Sequence, residues 1–320
     1  MSSQTEHDLV PIGQVVAELQ GVYPDVTHSS VRFLEREGLV TPARTPGGHR
    51  LYAPHDVQRI RQIKTWQAQR LSLEEIRRRL AALEALGSAA GIADQFLRHA
   101  TRGDLAAAAQ TILHADNLGM PLSQLFQDVL TPALYEVGER WARGELPVGQ
   151  EKEISELARD LIAELSLRHA HPEPHGPIVV AACVEGEHHD LGLRMVCGIL
   201  QTRGWHVHFL GADVAPRFLL EAVQLHHPAV VLLSAMLAPR LPAIAAAIEA
   251  VAASDAAAGA PAIVIGGRVA TDHGETLRAW RVVLAAADRL DVAVDETLAD
   301  LVPAGYQVET PAAPALAPLE

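Results

Sequence analysis

The 320-residue sequence predicts a multidomain chain with an N-terminal helix-turn-helix unit, a helical block, and a doubly wound α/β domain built on a parallel sheet. Three observations predict this. Two short helical patterns flank the turn GVYPD (21–25) and precede a Pro/Gly-rich turn. Residues 90–170 carry helical patterns throughout. From 177 onward, near-continuous apolar runs alternate with helical segments, the pattern of strands buried on both faces of a parallel sheet.

In chain order, PIGQVVAELQ (11–20) reads as an amphipathic helix, and Pro24 stops any continuation through the turn. THSSVRFLEREG (27–38) reads as a second helix, with Thr27 or an adjacent hydroxyl suited to its N-cap. In such a pair the second helix enters the DNA major groove. Pro42, Pro46, Gly47 and Gly48 then mark a turn between two short extended stretches, a wing. Arg44, His49 and Arg50 flank it, placed to reach phosphates or a groove. SLEEIRRRLAALEALG (72–87) reads as one amphipathic helix ending at Gly87. The boundaries expected are 9–86 for the first unit, 90–170 for the helical block and 177–304 for the α/β domain. A Pro/His-rich linker, HAHPEPHGP (169–177), separates the last two, and a Pro/Ala-rich tail at 305–320 is expected to be disordered.

Strands are expected at 177–183, 206–211, 229–235, 262–267 and 282–286, with helices such as 190–204 and 240–254 between them. Ligands of such sheets sit beyond the carboxyl ends of the strands. The loop after the first strand, CVEGEHHDLGLRMV, places Glu187, His189 and Gly192 there. Imidazole is a good ligand for a transition metal when a carboxylate orients its second nitrogen, and Glu187 or Asp190 can supply that carboxylate. Glycine at 192 lets a bulky ring approach the backbone.

Composition narrows the function classes. The net charge is −13, unevenly spread: residues 1–80 hold 11 Lys/Arg against 9 Asp/Glu, the remainder 15 against 30. The first unit is thus the one suited to polyanions. Cys183 and Cys197 are the only cysteines, too few for a disulfide framework or a Cys-rich zinc site, and both are expected to be reduced and buried. The polar N-terminus and the lack of an apolar run near the ~20 residues of a membrane helix lead to an expected cytoplasmic location.

The string VRFLEREGLVTPARTPGGHRLYAPHDVQRIRQIKTWQAQRLSLEEI closely resembles the MerR family of transcriptional regulators. The resemblance rests on Arg32, Glu35, Gly38 and Leu39, on Pro42, Arg44, Gly48, Arg50 and Tyr52, and on the run at 71–76. It implies dimeric binding to a double-stranded DNA operator, with Arg32, Arg44, Arg50 and Tyr52 as contacts. The short helix at 72–87 departs from that family's long dimer-forming coil and points to oligomerisation elsewhere, as a dimer or tetramer.

The loop motif Glu187-x-His189-x-x-Gly192, Ser234, the pair Gly266–Gly267 and LGADV (210–214) resemble the cobalamin-binding domain of corrinoid proteins, a Rossmann-like, flavodoxin-like fold. That implies cobalt ligated by His189, with His188 the lesser choice, and a nucleotide tail held by Ser234 in a slot lined by Gly266 and Gly267. TPALYEVGERWARGELPVGQEKEISELA (131–158) resembles the four-helix cap over the upper face of cobalamin, in the light-responsive MerR-type repressors that use adenosylcobalamin (the CarH/LitR group). Trp141 and Glu151 match its W-x9-E-H motif and are implied to pack around the adenosyl group. Lys152 stands where the motif has histidine, and His114 lies in the same block. The function expected is a cobalamin-dependent, light-responsive repressor and not an enzyme. A light-independent corrinoid or redox sensor, or a corrinoid methyl carrier, are the alternatives; the N-terminal unit argues against the carrier.

Overall fold

The computed structural model describes residues 9–21, 23–45, 47–253, 260–280 and 282–284. The chain divides after Gly87 into two compact units.

In the first unit, β1 (Val10–Pro11) leads into α1 (Ile12–Gln20) and, after the turn, α2 (His28–Arg36). Thr27 caps α2 reciprocally: its hydroxyl accepts from the Ser30 amide at 3.1 Å, and the Ser30 hydroxyl accepts from the Thr27 amide at 2.8 Å. The helix stops where Gly38 turns left-handed at φ +68°. Then come β2 (Ala43–Arg44) and β3 (Arg50–Tyr52), joined through Thr45 and His49, which share a backbone hydrogen bond of 2.9 Å. Pro46 lies outside the described residues. Two helices follow, α3 (Pro54–Ala68) and α4 (Leu73–Leu86), the second capped by Ser72 and ended by Gly87 at φ +103°. The three strands form an antiparallel sheet in the order β1-β3-β2. Val15, Leu19, Val31, Leu34, Ile60 and Trp66 centre the core. The strand β1 was not expected: Val10 and Pro11 pair with Tyr52 and Leu51, and two residues carry no periodicity.

The second unit begins with α5 (Ala89–Thr101), α6 (Leu105–Asn117) and a short α7 (Leu122–Gln124), which runs through a π-helical turn (Leu125–Leu130) into α8 (Thr131–Ala142). In the π turn the Phe126 carbonyl accepts from the Thr131 amide five residues on and also from the Thr131 hydroxyl at 2.8 Å. A 22-residue helix, α9 (Val148–His169), follows.

The remainder alternates β4 (Ile178–Val184), α10 (Leu191–Thr202), β5 (His206–Val214), α11 (Pro216–His226), β6 (Val230–Ser234), α12 (Leu241–Ala252), β7 (Ala262–Gly266), α13 (Arg268–Asp272), α14 (Gly274–Arg278) and β8 (Val283–Leu284). All pairings are parallel, in the order β5-β4-β6-β7-β8, the flavodoxin-like order of a doubly wound sheet. Every residue of β4 is buried. The edge strand β5 is half-buried and runs three residues past the apolar run that marks it in the sequence. The fifth strand's expected end at 286, the domain end at 304 and the tail at 305–320 lie outside the described residues. Among the described residues no helix is long and apolar enough to cross a membrane.

Candidate cofactor site and nucleic-acid interface

The carboxyl ends of β4, β6 and β7 lie side by side. Cys183 pairs with Ser234, and Ser234 with Gly266, so the sheet register alone aligns the expected slot residues with the start of the His189 loop. Ser234 is buried. Gly267 adopts φ +84°, ψ 176°, a region essentially restricted to glycine. A Cβ there would stand 2.3 Å from the Ala235 carbonyl oxygen.

In the loop after β4, Glu187 is buried at 1 % exposure, whereas the His189 imidazole is 64 % exposed. One Glu187 oxygen meets the His189 ring Nδ1 and also accepts from the His189 amide at 2.9 Å; the other accepts from the Met236 amide at 2.8 Å. Burial pushes the Glu187 carboxyl up, but the two amides and the imidazole outweigh it and hold it below the usual carboxylate range. With Nδ1 engaged by a fixed acceptor, the outward nitrogen is Nε2, the tautomer arrangement of a metal-ligating histidine. The loop is braced further by the Asp213 amide, which donates to the Glu187 carbonyl at 2.9 Å.

Of the two carboxylates able to orient the imidazole, Glu187 does so. Asp190 instead stands at the start of α10 and accepts from Arg194 at 2.7 Å and from Arg159 of α9 at 3.0 Å. The pair Asp190–Arg194 follows an i, i+4 spacing readable in sequence. Arg159 lies 31 residues away, and no local pattern reveals it. A Cβ on Gly192 would meet nothing within 4 Å, so the space in front of the first turn of α10 is open. His188 and His114 are exposed. Trp141, near the end of α8, is half-exposed, and Glu151 in the first turn of α9 accepts from the Ser155 hydroxyl at 2.7 Å. Lys152 is exposed.

Both thiols are free and buried, and burial pushes each up to about 12. They are protonated and poor ligands at neutral pH.

In the first unit, Glu35 of α2 holds both expected wing arginines: Arg44 Nη2 donates to Oε1 at 2.6 Å, and Arg50 Nε donates to Oε2. Burial raises the Glu35 carboxyl, but the two guanidiniums pull it below its ordinary value. Arg32 is exposed on the same helix. Tyr52 is placed differently from the expectation that it contacts DNA: it is fully buried, its hydroxyl has no hydrogen-bond partner among the described residues, and its ring packs in the core. Its side chain lies on the face of the small sheet that packs on the core of the first unit.

Comparison with known proteins bears on both units. Residues 12–83 match the MerR HTH family regulatory protein model. Residues 92–166 and 177–301 each match a B12 binding domain model. The HTH-type transcriptional repressor CarH of Myxococcus xanthus is 32 % identical over 223 residues, covering 65 % of this chain and 73 % of the relative. The repressor CarA of the same organism is 29 % identical over 271 residues, covering 81 % and 87 %. The monomethylamine corrinoid protein of Methanosarcina barkeri superposes with a TM-score of 0.56 at 16 % identity, over 65 % of this chain and 98 % of that one, which shows a shared fold for the second unit. The chain therefore belongs to the family of MerR-type HTH transcriptional regulators that carry B12-binding domains, the family of the repressor CarH.

Proposed function

We propose that the protein is a cobalamin-dependent repressor. In this reading the second unit holds adenosylcobalamin, and the first binds a double-stranded DNA operator. The observation that carries the reading is the Glu187–His189 pair: a buried carboxylate fixes an exposed imidazole at the carboxyl edge of the sheet. The residues present fit the group. Among the described residues no cluster of three or more His, Cys, Asp or Glu is arranged to hold a bare metal ion. A metal held by His189 therefore brings its other ligands with it, as corrin-bound cobalt does. Ser234, Gly266 and Gly267 form a side-chain-poor edge suited to the nucleotide tail. Trp141 and Glu151 are assigned to the upper face.

Adenosylcobalamin supplies a light-labile cobalt–carbon bond. Loss of that bond in light would change what Trp141 and Glu151 pack against, the oligomer would change state, and operator affinity would fall through lost avidity, with the contacts of each head unaltered. A light-independent corrinoid sensor is the second reading, favoured by Lys152, which stands exposed where the motif has histidine. The test is absorption, size-exclusion and duplex binding of the holoprotein, prepared in darkness, before and after green light. Changes in all three support the photoreceptor reading. Cobalamin binding with identical behaviour in dark and light selects the second.

Arg32, Arg44 and Arg50 are proposed as phosphate or base contacts. Glu35 makes this testable, because its carboxylate now occupies the two wing guanidiniums. Glu35→Gln is expected to raise affinity for non-specific duplex and to steepen the log–log salt dependence by up to about 2, since each phosphate neutralised contributes ~0.9. An unchanged salt slope would remove Arg44 and Arg50 from the interface.

A further inference from the structure

His189 is flanked by two tethers that run to different parts of the second unit. The first is Glu187, two residues before it, bound to the amide of Met236 just past β6, while the Glu187 carbonyl receives the amide of Asp213 in β5. This tether fixes the loop to the sheet. The second is Asp190, directly after His189 and 3 % exposed. One of its oxygens is held by Arg194 of its own helix, the other by Arg159 of α9. Arg159 also pairs with Glu156, one turn earlier on α9. This tether fixes the loop to α9.

Helix α9 packs closely against α10. At Ser166 it crosses α10 so closely that a Cβ on Gly198 would lie 2.2 Å from the Ser166 hydroxyl oxygen and 3.1 Å from the Phe126 ring. Positions 166, 159 and 152 recur every seven residues and stay on one stripe, drifting only ~20° per heptad. Ser166 and Arg159 therefore set the stripe of α9 that faces α10 and the His189 loop. Lys152, next to Glu151, continues that stripe about 10 Å further toward the helix N-terminus, at ~1.5 Å per residue. One helix thus carries Glu151 at one end and, two turns later, grips the carboxylate of the residue after His189.

We propose that Arg159 is a positioning residue that couples the two axial faces of the bound corrinoid. Through Asp190 it sets the spacing between the Glu151 turn of α9 and the His189 loop. The proposal rests on the cobalamin reading above. A displacement of α9 by a change in the upper group is then transmitted to the lower ligand, because the Arg159–Asp190 bond moves with the helix while Glu187 stays with the sheet. Arg194 grips the same carboxylate but belongs to α10, so it supports the loop without linking it to α9.

The test uses the full-length protein as wild type and as Arg159→Ala, Arg159→Lys and Arg194→Ala. It compares affinities for adenosylcobalamin, with its bulky upper group, and methylcobalamin, with a small one, by absorbance titration. The melting temperature of each apoprotein is recorded alongside. Arg159→Ala is expected to weaken adenosylcobalamin binding by about 10-fold or more, in the range of lost outer partners of metal ligands, and to shift the ratio of the two affinities several-fold. Arg159→Lys, which keeps one donor, is expected to restore most of the ratio. Arg194→Ala is expected to lower both affinities together and leave the ratio unchanged. If Arg159→Ala also lowers both affinities equally, with only a lower melting temperature to set it apart, Arg159 is a structural ion pair and the proposal fails. Wild-type protein that binds neither corrinoid, or binds both equally well after His189→Ala, overturns the cobalamin reading and this proposal with it. An unchanged ratio on an intact wild-type background overturns the positioning role alone.

Discussion

His189→Ala is expected to weaken cobalamin binding by more than the roughly 10–100-fold that loss of an outer partner costs a metal site, while leaving the fold intact. The side chain is exposed, so its removal opens no core cavity. What disappears is the ring nitrogen at which a cobalt ion is proposed to be held, presented by a carboxylate whose own position is fixed by two backbone amides. The neighbouring His188→Ala is the internal control: His188 is exposed, and its loss is expected to leave affinity near wild type. Absorbance titration of both variants checks this. Equal affinities in His189→Ala and wild type would exclude His189 as the axial ligand, and a loss confined to His188→Ala would transfer that role one residue along.

Gly267→Ala is expected to have the second large effect, on stability as well as binding. The backbone at 267 lies in a region that costs a non-glycine residue about 1–3 kcal/mol. The added methyl also collides with a backbone carbonyl of the adjoining strand end, 2.3 Å away. Backbone does not yield as a side-chain tip does, so the collision adds the ~1–3 kcal/mol typical of overpacking. For a unit of this size, ~2–4 °C per kcal/mol places the fall in melting temperature on the order of 10 °C. Thermal unfolding of the apoprotein measures it without reference to any ligand. A melting temperature within a degree or two of wild type would mean that Gly267 relaxes readily and does not hold the edge of the proposed slot.

The parallel sheet was legible because its central strands are buried on both faces, which leaves apolar runs that no exposed element shares; β4 is buried at every position. The edge strand β5 was legible only in part. Its last residues pass through Asp213 at φ +55°, whose side chain accepts from the Gly186 amide at 2.6 Å, and a polar residue there breaks the run. The helix from 73 to 86 was readable from its amphipathic pattern and terminal Gly87, whereas its cap at Ser72 was not singled out. The two-residue β1 and the π turn before Pro132 were not, since both are decided by partners and not by local pattern. At the candidate site, spacing placed Glu187 and His189 together because both lie in one short loop. Tyr52 is placed in the core because an aromatic residue beside a basic turn reads equally as surface contact or core filler, and only which face of the small sheet packs on the helices decides it. The role of Glu35 as the shared partner of Arg44 and Arg50, and the grip of Arg159 on Asp190, cross from one element to another and leave no trace in sequence.

The decisive measurement is electron paramagnetic resonance of the protein loaded with cob(II)alamin, prepared once with ordinary histidine and once with histidine carrying the heavy nitrogen isotope. Axial nitrogen splits the cobalt signal according to its nuclear spin. If His189 holds the cobalt, the triplet splitting of the unlabelled protein becomes a doublet in the labelled one, and His189→Ala removes the change. A triplet that persists in the labelled protein would show the cofactor's own base on the metal and would contradict the assignment of the Glu187–His189 pair.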